Sequence, residues 1–276
     1  MIVLLFALLN NCFAGEISLS FDDAPRKSGS MFSGKERTKL IIEKLKNENI
    51  QAAFYINGIN IKTAEDKQRI RSYSQSGHII GNHTFSHFKL SETDLLHYKN
   101  DILKNDKILK QFLNHKKWIR FPYLNRGGSA NTKSSIYAFL SEQRYFDAYI
   151  TIDNYDWFMD ALLERRIKSK YQFSIKDLCS TYSDILWEGI LYYDEAARKY
   201  LDGSPKHVLL LHENDMAALC LDDLIKKIKN NNWKIISPIK AYSDKISNRV
   251  PDTLYLGQGR VAALIHENLN LKMRSI

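Results

Sequence analysis

Short apolar runs alternate with longer amphipathic segments along almost the whole chain, and that pattern leaves few folds open. Residues 16–21 alternate polar and apolar as a strand does, and 52–56, 78–81, 118–121, 148–152, 207–211 and 233–236 read as further strands. Helical patterns lie between them. Ser33 followed by Glu36 is a capping box ahead of a helix to Asn49, Gly77 stops a helix over 64–76, and Ser91 is the expected N-cap of a helix reaching Asn114. Residues 131–143 and 216–231 are helical, 157–201 is helical with a break near Tyr171, and a last helix follows Pro238. Alternation of this kind builds a parallel sheet. Seven strands suit a barrel, incomplete or distorted, with a doubly wound open sheet as the alternative. The residues from Arg249 onward fall outside the alternation.

The N-terminus and the charge narrow the setting. Residues 2–9 are continuously apolar but too few to span a bilayer, and Ala14 closes a small-residue cleavage site. Residues 1–14 therefore read as a secretory signal, although no Lys or Arg precedes the run. The expected location is periplasm, cell envelope or medium; it is the cytoplasm if the run is a buried first strand. After cleavage Cys179 and Cys220 remain, able to pair or to stay as buried thiols. The net charge of +9 is spread over separate segments, and no long basic run marks a nucleic-acid surface, so none is expected as partner. The division expected is one domain over 15–245, with a helical insertion over about 157–201, and an extension of unassigned role over 246–276. No stable membrane insertion is expected after signal removal.

Five polar clusters interrupt the apolar pattern, and they fall at strand ends. Asp22 and Asp23 follow the first strand, His83 and His87 the third, Arg120 and Tyr123 bracket the end of the fourth, Asp153 and Asp156 follow the fifth, and His212 follows the sixth. In parallel α/β folds the carboxyl ends of the strands face one cleft. His83 and His87 meet on one face if their segment turns helically. Two imidazoles and one carboxylate make a three-ligand divalent site with an open position. On a strand the two adjacent carboxylates diverge, so one can ligate metal while the other stays free as a base. A cation lowers the pKa of a bound water, His212 across the cleft can protonate a leaving group, and Arg120 can hold the free carboxylate by a bidentate pair. The chemistry indicated is metal-assisted hydrolysis of an amide or ester. An iron oxygenase uses the same ligand types, but usually in all-β double sheets, against which the alternation argues.

Ser-Phe-Asp-Asp-Ala-Pro, His-Thr-Phe-Ser-His, Arg-Phe-Pro-Tyr, Asp-Asn-Tyr-Asp-Trp and Leu-Leu-Leu-His follow one another over residues 16–242. Their order and spacing resemble those of the polysaccharide deacetylases, the NodB-homology enzymes of carbohydrate esterase family 4. The resemblance implies a distorted (β/α)7-type barrel. It also implies removal of acetyl groups from N-acetylglucosamine-containing polysaccharides or oligosaccharides, or from acetylated xylan. It makes Asp22 the base, and Asp23, His83 and His87 the ligands of a divalent metal, Zn2+ first, with Co2+, Ni2+ or Mn2+ as alternatives. Arg120 orients the base, the Tyr123 N–H contributes to the oxyanion hole, and His212 is the acid. Leu210 receives the acetyl methyl, Asp156 tunes the acid histidine with Asp153 as a second candidate, and Trp157 forms part of the groove wall. The chain departs from the family pattern at Ala24, Phe121 and Glu213, none of which removes a catalytic group. A non-catalytic carbohydrate-binding homologue is a further alternative, but such homologues commonly lose a base or ligand, and every such position is filled here.

Overall fold

The computed structural model describes residues 13–254 and 257–274. Residues 1–12, which hold most of the segment read as a signal, lie outside them. Seven strands are present among the described residues: β1 (Gly15–Ala24), β2 (Ala53–Ile56), β3 (Ile79–Asn82), β4 (His115–Ile119), β5 (Phe146–Asp147), β6 (His207–His212) and β7 (Trp233–Ile235). All pair in parallel, in the order β5-β4-β3-β2-β1-β6, with β7 on β1. β1 is shared by three partners. β7 takes its first residues, Gly15 to Ile17, β2 takes Ser20 to Ala24, and β6 runs along it from Ile17 to Asp22.

The expected strand over 148–152 is not regular. β5 ends at Asp147, and Ile152 makes only one isolated bridge, to Leu209 of β6. The intervening segment still closes the ring. Ala148 donates its N–H to Ile119 on one side, and Leu210 donates to Ile152 on the other. The product is a curled, distorted (β/α) barrel. Residues such as Leu19, Phe21, Phe54, Ile56, Leu209 and Leu211, all fully buried, pack between the sheet and the surrounding helices, where Phe54 also stacks on the Tyr73 ring. Phe21 and Phe54 stack with centroids 4.9 Å apart. Each such side chain contributes roughly 1.5–3 kcal/mol by leaving water.

The helices are α1 (Gly34–Asn47), α2 (Ala64–Gln75), α3 (Leu95–Leu109), α4 (Ala130–Glu142), α5 (Asp156–Lys168), α6 (Ile175–Tyr200), α7 (Asp215–Asn230), α8 (Pro238–Tyr242) and α9 (Gly259–Arg274). The Ser33–Glu36 capping box forms in both directions. Ser91 is not the N-cap of α3; it lies in a 3-10 turn, and Asp94 caps the helix by accepting from the His97 N–H. Cys179 of α6 and Cys220 of α7 form a disulfide.

The C-terminal residues that fit no strand–helix alternation have a definite seat. Arg260, at the start of α9, is buried and donates to Asp147 of β5 at 2.8 Å, and its guanidinium lies 3.8 Å from the Tyr149 ring centroid. Its N–H bonds the Ile150 carbonyl at 2.7 Å. Gly259 has a φ of +78°, and a Cβ there would stand 2.8 Å from that same carbonyl, so the close approach requires glycine. α9 therefore braces the irregular segment that closes the barrel.

Candidate active site

Asp22 and Asp23 end β1, inside the strand rather than after it. Asp23 has a φ of +67°, which turns its carboxylate away from that of Asp22. His83 immediately follows β3. His87 is not one helical turn on: the segment between the two histidines is an irregular loop, with Thr84 and His87 both at positive φ. Asp101 of α3 fixes that loop by accepting from the N–H groups of Phe85 and Ser86, at 2.9 and 2.8 Å, and from the Ser86 hydroxyl at 2.7 Å. The Thr84 hydroxyl accepts from the His87 N–H at 3.0 Å. Together with Tyr123, these are non-glycine residues held in the left-handed region, the kind of strain that surrounding bonds must sustain at a functional site.

Asp23, His83 and His87 each turn a ligand atom to a common point, the three atoms within 4.8 Å of one another. His87 Nε2 is 3.2 Å and His83 Nε2 3.6 Å from Asp23 Oδ1. His83 Nδ1 bonds the Arg120 carbonyl at 2.7 Å, which fixes the tautomer and leaves Nε2 free. Asp23 Oδ1 is buried without a hydrogen-bond partner. A buried, unpartnered carboxylate oxygen facing two neutral imidazoles fits a divalent cation. Burial holds both histidines near a pKa of about 4, so the neutral, ligating form is favoured. Burial would raise Asp23, but His212, His83 and His87 outweigh it and keep the carboxyl below its usual range.

Asp22 is set apart from this group. Burial pushes its pKa up to about 6, against the pull of Arg120 and His212. Arg120 is fully buried and does not make the expected bidentate pair. Only Nη1 reaches Asp22 Oδ1, at 2.9 Å. Nη2 donates to the Ser20 and Tyr242 hydroxyls, each at 3.2 Å, and Nε donates to the Ala148 carbonyl of the closing segment. The guanidinium lies 4.3 Å from the Tyr55 ring centroid.

His212, on the strand rung opposite Asp22, is governed by Asp156. Asp156 Oδ1 is 2.7 Å from His212 Nδ1, and Oδ2 accepts the His212 N–H at 2.7 Å and the Asn214 side chain at 3.1 Å. Burial lowers the histidine, but Asp156 outweighs it and raises the pKa to about 9. Asp153 bonds the neighbouring Asn154 N–H instead and is not the partner of His212. Tyr123 packs its ring 4.7 Å from that of His87, Leu210 is buried in β6, and Trp157 stands exposed at the start of α5. A cleft of about 510 Å³ opens over Asp23 and His87, lined further by Asn57, Asn60, Lys62 and Thr63.

Behind the site is a buried network that the sequence pattern did not disclose. Glu213 is fully buried and accepts from Arg69 at 2.8 and 3.0 Å, from the Tyr73 hydroxyl at 3.0 Å and from the Arg26 N–H at 2.7 Å. Arg69 in turn donates to the Arg26 carbonyl at 2.8 Å. The backbone that leaves β1, just past Asp22 and Asp23, is thus clamped from both sides. Its only sequence signal was an acidic residue beside His212 inside an apolar strand end.

Residues 13–138 match the family model for polysaccharide deacetylase. The match takes in Asp22, Asp23, His83, His87, Arg120 and Tyr123, while Asp156, Trp157, Leu210 and His212 lie beyond it. A peptidoglycan-N-acetylglucosamine deacetylase of Bacillus cereus is 30% identical over 143 residues, covering 51% of this chain and 46% of the relative. A chitin deacetylase of Colletotrichum lindemuthianum is 26% identical over 117 residues, covering 40% and 43%. The chain thus spans about half the length of these curated relatives. A solved peptidoglycan N-acetylglucosamine deacetylase, in complex with 4-naphthalen-1-yl-N-oxidanyl-benzamide, superposes with a TM-score of 0.59 at 23% identity, over 84% of this chain and 90% of that one. At that identity the likeness establishes the barrel fold. The family match over residues 13–138, the ordered motifs and the shared fold make this chain similar to the polysaccharide deacetylases.

Proposed function

We propose that the chain is a metal-dependent hydrolase that removes acetyl groups from an N-acetylglucosamine-containing saccharide. One observation carries the reading: two proton-handling groups in opposite states flank a three-ligand site. Asp22 is an under-bonded carboxylate, and His212 is an imidazole kept protonated by Asp156. Asp23, His83 and His87 would hold the divalent ion, which when bound polarises an acetyl carbonyl oxygen and acidifies a water. Asp22 takes the proton of the attacking water. Arg120 keeps the carboxylate aimed by a single bond and leaves its second oxygen available. His212 delivers a proton from Nε2 to the leaving amine, because Nδ1 is committed to Asp156. The Tyr123 N–H supports the developing oxyanion and Leu210 receives the acetyl methyl. The polar lining of the cleft suits sugar hydroxyls.

Export is part of the same reading. A disulfide between Cys179 and Cys220 belongs to an oxidising compartment, in keeping with an apolar N-terminal run read as a signal. No helix among the described residues is long and apolar enough to cross a membrane. The test is acetate release by zinc-loaded and by chelated protein from chitin oligomers, peptidoglycan and acetylxylan. Release from the first two, lost on chelation and in Asp23→Asn together with bound metal, is expected. No release from any of them overturns the proposal, and release from acetylxylan alone reassigns the enzyme to esters.

A further inference from the structure

α5 carries two apolar stripes where one would suffice to attach it. Met159 and Leu163, four residues apart, are buried against the body of the protein. Phe158 and Leu162, also four apart, remain exposed, and Arg166 continues their line. α6 follows after a short connection and offers a matching stripe of Leu178, Thr181 and Ile185. Between the two stripes runs an open trench of about 850 Å³. That is the size of a small-molecule site.

Three features say what the trench takes. First, it lies beside a group of the candidate active site: Tyr155 and Trp157 line it, and the residue between them is Asp156, bonded to His212. Second, its walls differ in kind from the cleft over Asp23. The cleft is lined by Asn57, Asn60, Lys62 and Thr63, whereas aliphatic and aromatic groups dominate the trench and leave sugar hydroxyls few partners. Third, its far end is cationic. Arg165, Arg166 and Lys170 are exposed there, outnumbering the one lining carboxylate, Asp177, while Lys168 is paired with Glu164 at 2.6 Å; the Arg166 guanidinium caps the Tyr171 ring at 4.3 Å. Exposed cations beside exposed aromatic and aliphatic groups suit the anionic surface in which an apolar tail is anchored.

We propose that the trench between α5 and α6 seats an apolar tail carried by the saccharide, so that the substrate class is an amphiphilic, lipid-linked N-acetylated saccharide. This rests on the deacetylase reading for its chemistry but not for its binding. The trench axis from Trp157 to Arg166 is roughly 13 Å at the helical rise, room for about ten methylenes.

The probes are β-N-acetylglucosaminides with tails from methyl to dodecyl, each used below its micelle concentration. Of the four tryptophans only Trp157 is substantially exposed, at 51%, so its emission reports occupancy of the trench. Binding is measured in Asp22→Asn, where turnover is removed, and KM for acetate release in the unaltered protein. Kd and KM should fall about two- to fourfold per added methylene, levelling near ten carbons, with a blue shift of the Trp157 emission. Leu162→Asp and Ile185→Asp, at exposed positions, should flatten that dependence with an unchanged circular dichroism spectrum. Leu113→Asp, on the loop after α3, should retain it.

A Kd and KM independent of tail length overturn the proposal, as does a tail dependence that survives Leu162→Asp. An alkyl maltoside that binds as tightly as the matching glucosaminide would make the trench a lipid site unrelated to substrate, and also overturns it. A dimer that Leu162→Asp dissociates, with no tail dependence, assigns the trench to a second copy of the chain. Tail-dependent binding without acetate release from any glycoside supports the tail site and refutes the deacetylase reading instead.

Discussion

Asp22, at the end of β1, and Asp147, in β5, are each buried against arginine, and their carboxyls are driven in opposite directions. Burial carries Asp22 up to about 6. At Asp147 the same burial is overcome by Arg126 and Arg260, and the pKa falls to about 2. The difference lies in how many donors reach each carboxylate. Asp147 accepts from Arg126 at 3.1 and 3.0 Å, from Arg260 at 2.8 Å and from the Tyr137 hydroxyl at 2.7 Å. Asp22 accepts one bond from an arginine whose other donors are spent on Ser20, Tyr242 and Ala148. A saturated carboxylate is an anchor; a carboxylate left short of donors is available for proton transfer. The first fastens α9 to the barrel, and the second faces the ligand cluster.

The largest effect should separate the two aspartates by function. Asp22→Asn is expected to lower acetate release by about 10²–10⁴-fold with metal content unchanged, while Asp147→Asn keeps the rate within a few-fold. Metal loss in Asp22→Asn equal to that in Asp23→Asn would sink the division of roles. Next, Arg120→Met leaves the Asp22 charge and the Ala148 carbonyl unpaired in the interior, and urea unfolding should register a loss of about 3–5 kcal/mol. Asp147→Asn should cost less, about 2–3 kcal/mol, with faster amide exchange confined mainly to α9.

The pH dependence has a fixed sign. The folded pKa of Asp147, about 2, lies below the unfolded value, so its contribution is complete above pH about 4 and is lost as pH falls through 2. The stability gap between the unaltered protein and Asp147→Asn should therefore hold above pH about 4 and shrink from there to pH 2; a gap that stays constant contradicts the account. Smallest is Tyr137→Phe, which removes one donor from a saturated carboxylate and should cost about 1 kcal/mol by the same unfolding measurement.

The residues at strand ends were legible because polar side chains stood out against apolar runs. Asp22, Asp23, His83, His87 and His212 do converge, and Asp156 does bond the histidine as expected. What stayed hidden was polar residues inside helical patterns. Arg37, Arg69 and Asp101 lie inside helical patterns, yet all three are buried, because their partners come from other segments of the chain. A buried arginine and an exposed one look alike until the fold supplies the carboxylate. The same reason hid Arg260: its partner in β5 lies 113 residues away. The strand over 148–152 was misread for a different reason. Its apolar content reflects burial between β4 and β6, which an irregular segment satisfies as well as a strand.

The parallel ladder between β1 and β6 places Asp22 and His212 on one rung. Their separation is thus a property of sheet register, fixed at the spacing of neighbouring strands, about 4.8 Å between backbones. Loops around the cleft can lengthen or change without disturbing it. Deleting one residue from β1 would instead invert the faces of everything beyond the cut and send the carboxylate to the far side of the sheet. In this chain the two residues are placed together, as a single unit of strand pairing, and tolerance to insertion should fall abruptly at the borders of these two strands.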